Sequence, residues 1–292
     1  MAEKRKRRPG DRYEGRRLRT VSPYIGITPY IMRNRSDACN LFRDTAEITA
    51  ADRYLRQKRL EGRKGMGMLH LLVASYVRAV AAFPTVNRFM AGRRIYARND
   101  ITVVMTIKRS MAADAEETSI KVHLSPADTI FDVYDKMEAA IADVKNDVGN
   151  STDATAGVLM KLPRWILNFA IAVLRRIDYL WGLPKWLINA SPFHGSIVVT
   201  DIGSLGIPPI YHHIYDFGNL PVFLGFGAKY RRTELDVDGK PVQRKYIDYT
   251  VVTDERITDG YNYAAAFKLF GRCVSHPEVL ETPPEEVKED ID

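Results

Sequence analysis

Apolar residues recur at helical spacing between residues 69 and 83. Leu69, Leu72, Val73, Tyr76, Val77 and Val80 fall on one face, and Pro84 ends the run. The pattern changes to a period of two over residues 101–107, where Ile101, Val103, Met105 and Ile107 face one side and predict a strand. Val104 on the other side predicts that this second face is partly buried as well. A short strand is expected at 119–123. After it Ser125, Pro126 and Asp128 carry the signature of a capped helix start, and Ile130, Val133, Tyr134, Met137, Ile141 and Val144 form one apolar face. Residues 195–201, 221–227 and 245–253 read as strands, with Asp238-Gly239 as a hairpin turn. Tyr263, Phe267 and Phe270 pack a helix over 260–271. Strands and helices alternate irregularly, which predicts an α/β (α+β) fold on a mixed sheet.

Composition adds bounds. With 46% hydrophobic and 27% charged residues in 292, a globular core is expected. Cys39 and Cys273 provide no disulfide framework, and no apolar stretch follows the first basic residues as in a secretory signal. The expected compartment is therefore the reducing cytoplasm. The +7 net charge is unevenly placed. Residues 1–20 hold nine Lys or Arg against three acids and read as a basic tail. Residues 281–292 hold six acids against one lysine, with Pro283-Pro284, and read as an acidic tail. The basic run at Lys4–Arg8 suits nucleic acid, anionic lipid or an acidic partner, or is a solvated end. No aromatic residue is interleaved with it, which argues against nucleic acid. No Gly-rich phosphate loop and no metal-ligand spacing is present.

Three motifs occur in order between these tails. Phe83-Pro84-Thr85-Val86-Asn87 follows the first helix, Val198-Val199-Thr200-Asp201-Ile202-Gly203-Ser204-Leu205-Gly206 follows in the middle, and Asp254-Glu255-Arg256-Ile257-Thr258-Asp259-Gly260 closes the series. They resemble F-P-x-x-N, T-I-S-N-L-G-x-x-G and D-H-R-x-x-D-G of the catalytic domain of 2-oxoacid dehydrogenase dihydrolipoamide acyltransferases, in the chloramphenicol-acetyltransferase-like superfamily. Ser119–Val144 also resembles that family's strand-then-helix segment, and the likeness covers roughly residues 17–280. It implies a two-layer sandwich with helices on one face of a mixed sheet, and a homotrimer or larger cage with active sites between subunits. A coenzyme A thioester is the implied substrate. No lipoyl or subunit-binding domain is visible ahead of the core, so the acyl carrier would be another polypeptide or a dehydrogenase-complex partner.

Acyl transfer needs a base for the acceptor's proton and a donor for the oxyanion. By position the resemblance makes Thr200 the oxyanion donor, with Asp259, Gly260, Arg256 and Asn87 as structural support and Arg33 or Arg35 as the partner of Asp259. Each also has a plain reading: Thr200 as a strand residue, the arginines as a solvated face. Glu255 stands where the family has its catalytic histidine. A carboxylate of pKa about 4.3 is a weak base toward a thiol of about 8.5, a gap of roughly 5–6 kcal/mol unless burial raises it. Two substitutes lie elsewhere: His213, or His212 beside it, in an apparent insertion after the Ser204-Leu205-Gly206 segment. Loop histidines bonded to backbone are the alternative. Their string also resembles H-H-x-x-x-D-G of condensation enzymes, but its spacing differs.

Residues 158–190 replace a short polar connection of the family and hold Trp165, Trp181 and Trp186. The longest uncharged run, Trp165–Leu174, is too short to span a bilayer, which takes about 20 residues. A core or subunit-contact helix pair, a membrane-surface element and the wall of an acyl-chain channel all fit it. Three functions follow: a transferase moving an acyl group from a CoA or carrier thioester to a thiol or hydroxyl; a catalytically inactive assembly trimer or cage component; and a membrane-peripheral binding module.

Overall fold

In the computed structural model, which describes residues 6–108, 117–146, 157 and 161–292, the chain enters through β1 (Gly15–Arg17) and α1 (Pro23–Ile31). Then come β2 (Cys39–Glu47), α2 (Thr49–Leu60) and α3 (Met68–Ala82). Four strands follow: β3 (Arg88–Ala91), β4 (Arg94–Arg98), β5 (Ile101–Lys108) and β6 (Glu117–Leu124). After α4 (Ile130–Asn146) the insertion supplies α5 (Arg164–Leu180) and α6 (Lys185–Ala190). The chain closes with β7 (Ile197–Asp201), β8 (Val222–Phe226), β9 (Tyr230–Leu235), β10 (Pro241–Asp254) and α7 (Gly260–Ser275).

The main sheet runs β2-β10-β8-β7-β5-β6, with β9 paired to the far half of β10. Only the β5–β7 and β7–β8 pairs are parallel, so the sheet is mixed. A three-stranded sheet β1-β4-β3 stands beside it. The core lies on the helix side, where Leu71, Ile101, Met105, Ile197, Tyr249 and Phe270 belong to one buried cluster. Helix α3 is buried nearly all round, because Ala, Val and Leu occupy its back as well as its front. The opposite face carries a smaller cluster, Val104, Val198, Ile214, Leu220, Phe223 and Val252. It is covered by the loop that runs between β7 and β8.

Several expectations are corrected. Helix α4 starts one turn later than Ser125. Thr129 and Asp132 form the reciprocal cap, with the Asp132 N–H donating to Thr129 Oγ1 (3.2 Å) and the Thr129 N–H to Asp132 Oδ2 (2.9 Å). Ser125 and Asp128 instead close a preceding turn. The described parts of the two charged ends are tied to each other and to the body at several points. Their opposite charges meet where Arg8 reaches Asp292 (2.9 Å) and Arg16 lies 3.8 Å from it, and Arg88 of β3 grips the buried Asp290 carboxylate through two nitrogens (2.7 and 2.5 Å). The Arg19 and Thr20 N–H groups donate to the Asp292 carbonyl, while Arg12 and Leu18 are buried near β1. Of the basic run, Lys4 and Arg5 lie outside the described residues.

The insertion adds Leu183 and Ile188 to the buried apolar residues, while its long helix stays on the surface. Asp178 is the one buried residue of α5, and Trp165, Phe169, Trp181 and Trp186 are two-thirds or more exposed. The apolar cavity between the sheet, α3 and α7 measures about 30 Å³ and takes none of its lining from the insertion. Residues 158–160 lie outside the described residues. Among those described, no helix is long and apolar enough to cross a membrane.

Candidate active site

Asp254 ends β10 and is fully buried on the loop-covered face. Its carboxylate accepts from Arg256 Nε (2.8 Å), Nη2 (2.7 Å) and backbone N–H (3.1 Å), and Arg35 Nε lies 3.9 Å away. A buried charge is tolerated only when paired in this way. Arg35 is therefore the neighbour of Asp254, the first residue of the motif, and the pairing of Arg33 or Arg35 with Asp259 is not the one seen. Asp259 is exposed and caps α7, accepting from the Asn262 N–H (2.8 Å) and Nδ2 (2.8 Å). Gly260 is the first residue of that helix. Arg256 also donates to the carbonyls of Met32 and Arg33, tying the end of α1 to the motif. Asn87 donates to the Asp100 carbonyl (2.9 Å) and holds the strand entry after α3.

Glu255 follows Asp254 in a single turn of 3₁₀ helix and is exposed. Thr200 lies at the other end of the sheet. The register aligns Thr250 of β10 with Gly225 of β8, and Gly225 with Thr200 of β7. Glu255 lies beyond Asp254, itself four residues past Thr250. Strand geometry therefore separates Thr200 and Asp254 by about 13 Å along the strands and about 10 Å across them, with Glu255 beyond Asp254. Within one chain the structure does not bring Thr200 and Glu255 together.

It does place a histidine on the sheet face that carries Thr200. Register partners point to the same side of a sheet, so Thr200, Gly225 and Thr250 share the face covered by the loop. The loop lies close because Gly225 and Gly227 have no side chains. A Cβ on Gly227 would sit 2.5 Å from Pro209 Cδ, and one on Gly225 would meet the Ile210 carbonyl at 3.3 Å and His212 Cδ2 at 3.4 Å. Thr250 Oγ1 fixes the loop by donating to the Ile210 carbonyl (2.7 Å). His212 stacks flat on Phe223, with ring centroids 4.3 Å apart and planes at 6°. Its Nε2 is buried and has no hydrogen-bond partner. Burial, and the adjacent His213, hold the His212 pKa below 6.5, so the ring is neutral near pH 7. His213 points away. It is exposed and packs edge-on to Tyr215 at 5.0 Å.

The far end of the loop is anchored by Asp216, whose Oδ1 accepts from the backbone N–H groups of Arg35 (2.8 Å) and Ser36 (3.1 Å). Sequence reasoning missed both Asp216 and Asp254. The available signal for Asp254 was its place on the alternating Thr250, Val252, Asp254 side of β10, two residues before an arginine.

Comparison with known proteins bears on the fold. No family model matches the sequence, and the search of curated proteins returned no match. Solved structures do align along nearly the whole chain. A probable dihydrolipoamide acetyltransferase from Listeria monocytogenes 4b F2365 superposes with a TM-score of 0.55 at 15% identity, covering 92% of this chain and 99% of that one. The cubic core of a pyruvate dehydrogenase multienzyme complex gives 0.54 at 13% identity, over 91% and 94%. The truncated catalytic core of a 2-oxoacid dehydrogenase multienzyme complex from Thermoplasma acidophilum gives 0.53 at 11%, over 89% and 98%. With the mixed sheet, its one helical face and the order of its strands, these superpositions show that the chain has the chloramphenicol-acetyltransferase-like fold of the dihydrolipoamide acyltransferase catalytic cores.

Proposed function

We propose that this protein transfers an acyl group from a CoA or carrier thioester to a thiol or hydroxyl acceptor, with His212 as base and Thr200 as oxyanion donor. The observation that carries the reading is the neutral, unpartnered His212 imidazole lying over Gly225, beside Thr200 on the same sheet face. His212 takes the acceptor's proton as the acceptor attacks the thioester carbonyl carbon. The Thr200 hydroxyl donates to the oxyanion. Collapse expels the donor thiolate, which recovers the proton from His212, so atoms and charge balance. Glu255 has no part in these steps within one chain.

The test is acyl transfer from acetyl-CoA and from longer acyl-CoAs to dihydrolipoamide, with His212→Asn and Glu255→Gln assayed beside the wild type. Turnover that survives Glu255→Gln and is lost in His212→Asn supports the proposal. Turnover lost only in Glu255→Gln moves the base to a site shared between subunits. A silent wild type favours the second reading, a catalytically inactive component of a homotrimer or larger cage. That reading draws on the exposed position of Glu255, away from Thr200, and on the multienzyme-complex cores to which the similar structures belong.

A further inference from the structure

A cavity of about 390 Å³ opens where the segment after α1, the β3–β4 turn, Asp216–Gly218 of the β7–β8 loop, Arg256 after β10 and the end of α5 meet. Five arginines line it: Arg33, Arg35, Arg93, Arg175 and Arg256. Two carboxylates, Asp178 and Asp216, share the wall, and both are committed elsewhere. Asp178 holds Arg12 at 2.7 Å and lies 3.5 Å from His194, while Asp216 caps the Arg35 and Ser36 amides. Arg256 and Arg35 are occupied by Asp254 and by backbone carbonyls. That leaves Arg33, Arg93 and Arg175 with no carboxylate partner among the described residues. Arg93 lies over the Tyr30 ring (5.3 Å) and Arg175 near Phe217 (6.0 Å), contacts that orient a guanidinium without neutralising it.

The backbone points the same way. Gly92 and Arg93 form the β3–β4 turn with φ of 56° and 57°, and Arg93 is the one described non-glycine residue with positive φ. Asn or Gly ordinarily occupies such a position, and a bulky residue there costs about 1 kcal/mol or more. Gly92 in turn lets the turn press against the Tyr179 carbonyl of α5, where a Cβ would collide. The turn is thus held against α5 and carries a long cation in a conformation that a shorter residue would adopt more easily. Planar guanidinium groups match phosphate oxygens in paired hydrogen bonds. The volume exceeds that of a lone phosphate and falls in the range of small-molecule sites.

We propose that this cavity is a binding site for a phosphate-bearing ligand, a diphosphate or phosphoester held by Arg33, Arg93 and Arg175. All three arginines come from outside the three sequence motifs, and Arg175 belongs to the insertion. The site stands whether or not the chain transfers acyl groups. The phosphoryl group has two sources to distinguish, a soluble phosphoester or a lipid headgroup, since the exposed Trp181 directly follows the last turn of α5 that lines the cavity.

Calorimetric titration of inorganic pyrophosphate at low salt tests it, on wild type, on Arg93→Asn combined with Arg175→Gln, and on Arg164→Gln at the opposite end of α5 as a charge control. Asn suits the turn, so the double variant is expected to keep the wild-type melting temperature. Saturable binding is expected in wild type, weakened at least tenfold (about 1.4 kcal/mol) in the double variant and within about twofold in the control. Vesicles of phosphatidylglycerol, beside phosphatidylcholine, separate the sources. Selective vesicle binding that pyrophosphate displaces supports a headgroup occupant, and pyrophosphate binding without it supports a soluble one. A wild type that does not bind pyrophosphate, or a double variant that binds it as well as wild type, overturns the proposal.

Discussion

The two faces of the main sheet are built from the same strands and have opposite characters. On the helix side Val199, Leu224, Val251 and Tyr249 pack into one large apolar cluster beneath α3 and α7. On the loop side the alternate positions of the same strands are Thr200, Gly225, Thr250 and Asp254, with a smaller apolar patch around Phe223. A period of two lets one strand serve both ends, burying hydrocarbon on one side and presenting hydroxyls on the other. The helix face can be packed to interior density, whereas the loop face keeps an unpartnered imidazole nitrogen. Stability and chemistry are thereby separated by one residue step.

That separation can be broken most strongly from the helix side. Phe270→Ala empties a buried position against Tyr249 and is expected to cost about 3–5 kcal/mol in urea unfolding, without altering the chemistry of the molecules that remain folded. His212→Asn should do the reverse. Transfer is expected to fall by roughly 10²–10⁴-fold, as when a general base is removed, with less than about 1 kcal/mol lost in unfolding. The pH profile sharpens this. The neutral imidazole is the active form and its pKa is lowered, so wild-type kcat/KM should be flat at neutral pH and drop only as pH falls through a value below 6.5. A limb at or above 6.5 would count against His212. Thr200→Val keeps the shape of the residue and removes its donor, and kcat should fall by about 10²–10³-fold with KM nearly unchanged. The smallest effect is expected at Glu255→Gln, within about twofold in turnover at neutral pH. A large loss there would erase the contrast drawn between the two ends of the sheet.

Much of the fold was legible because its signals are local. The 69–83 periodicity corresponds to α3 at Met68–Ala82, the 101–107 alternation to β5, and Asp238-Gly239 to the β9–β10 hairpin. Strand β2 escaped notice because it is an edge strand with most of its residues exposed, so no alternation marks it. Helix α2 is rich in Arg and Lys, with Ala51, Asp52 and Leu55 as its buried positions, too few for an apolar stripe. The shift of the α4 cap shows a different limit. Ser125-Asp128 and Thr129-Asp132 carry nearly the same signal, and packing of Ile130 and Val133 selects the second. At the site, the motif residues could be ordered along the chain but not placed in space. Nothing local shows that Glu255 and Thr200 sit at opposite ends of the sheet, that Asp254 takes Arg256 and Arg35, or which of two adjacent histidines turns inward.

The attachment of α5 has a consequence for how such a protein changes over generations. Its last turn is fastened through Asp178, which Arg12 grips by both side chain and carbonyl and which His194 faces, while His194 Nδ1 is 2.8 Å from the Ser191 hydroxyl. The rest of the helix touches little. An element hung from a single latch can be gained or lost as a unit, and its outer surface can be rewritten residue by residue without disturbing the sheet. Asp178, Arg12, His194 and Gly92 are then the positions that inheritance must keep together, while Trp165 and Phe169 are free to follow whatever they meet.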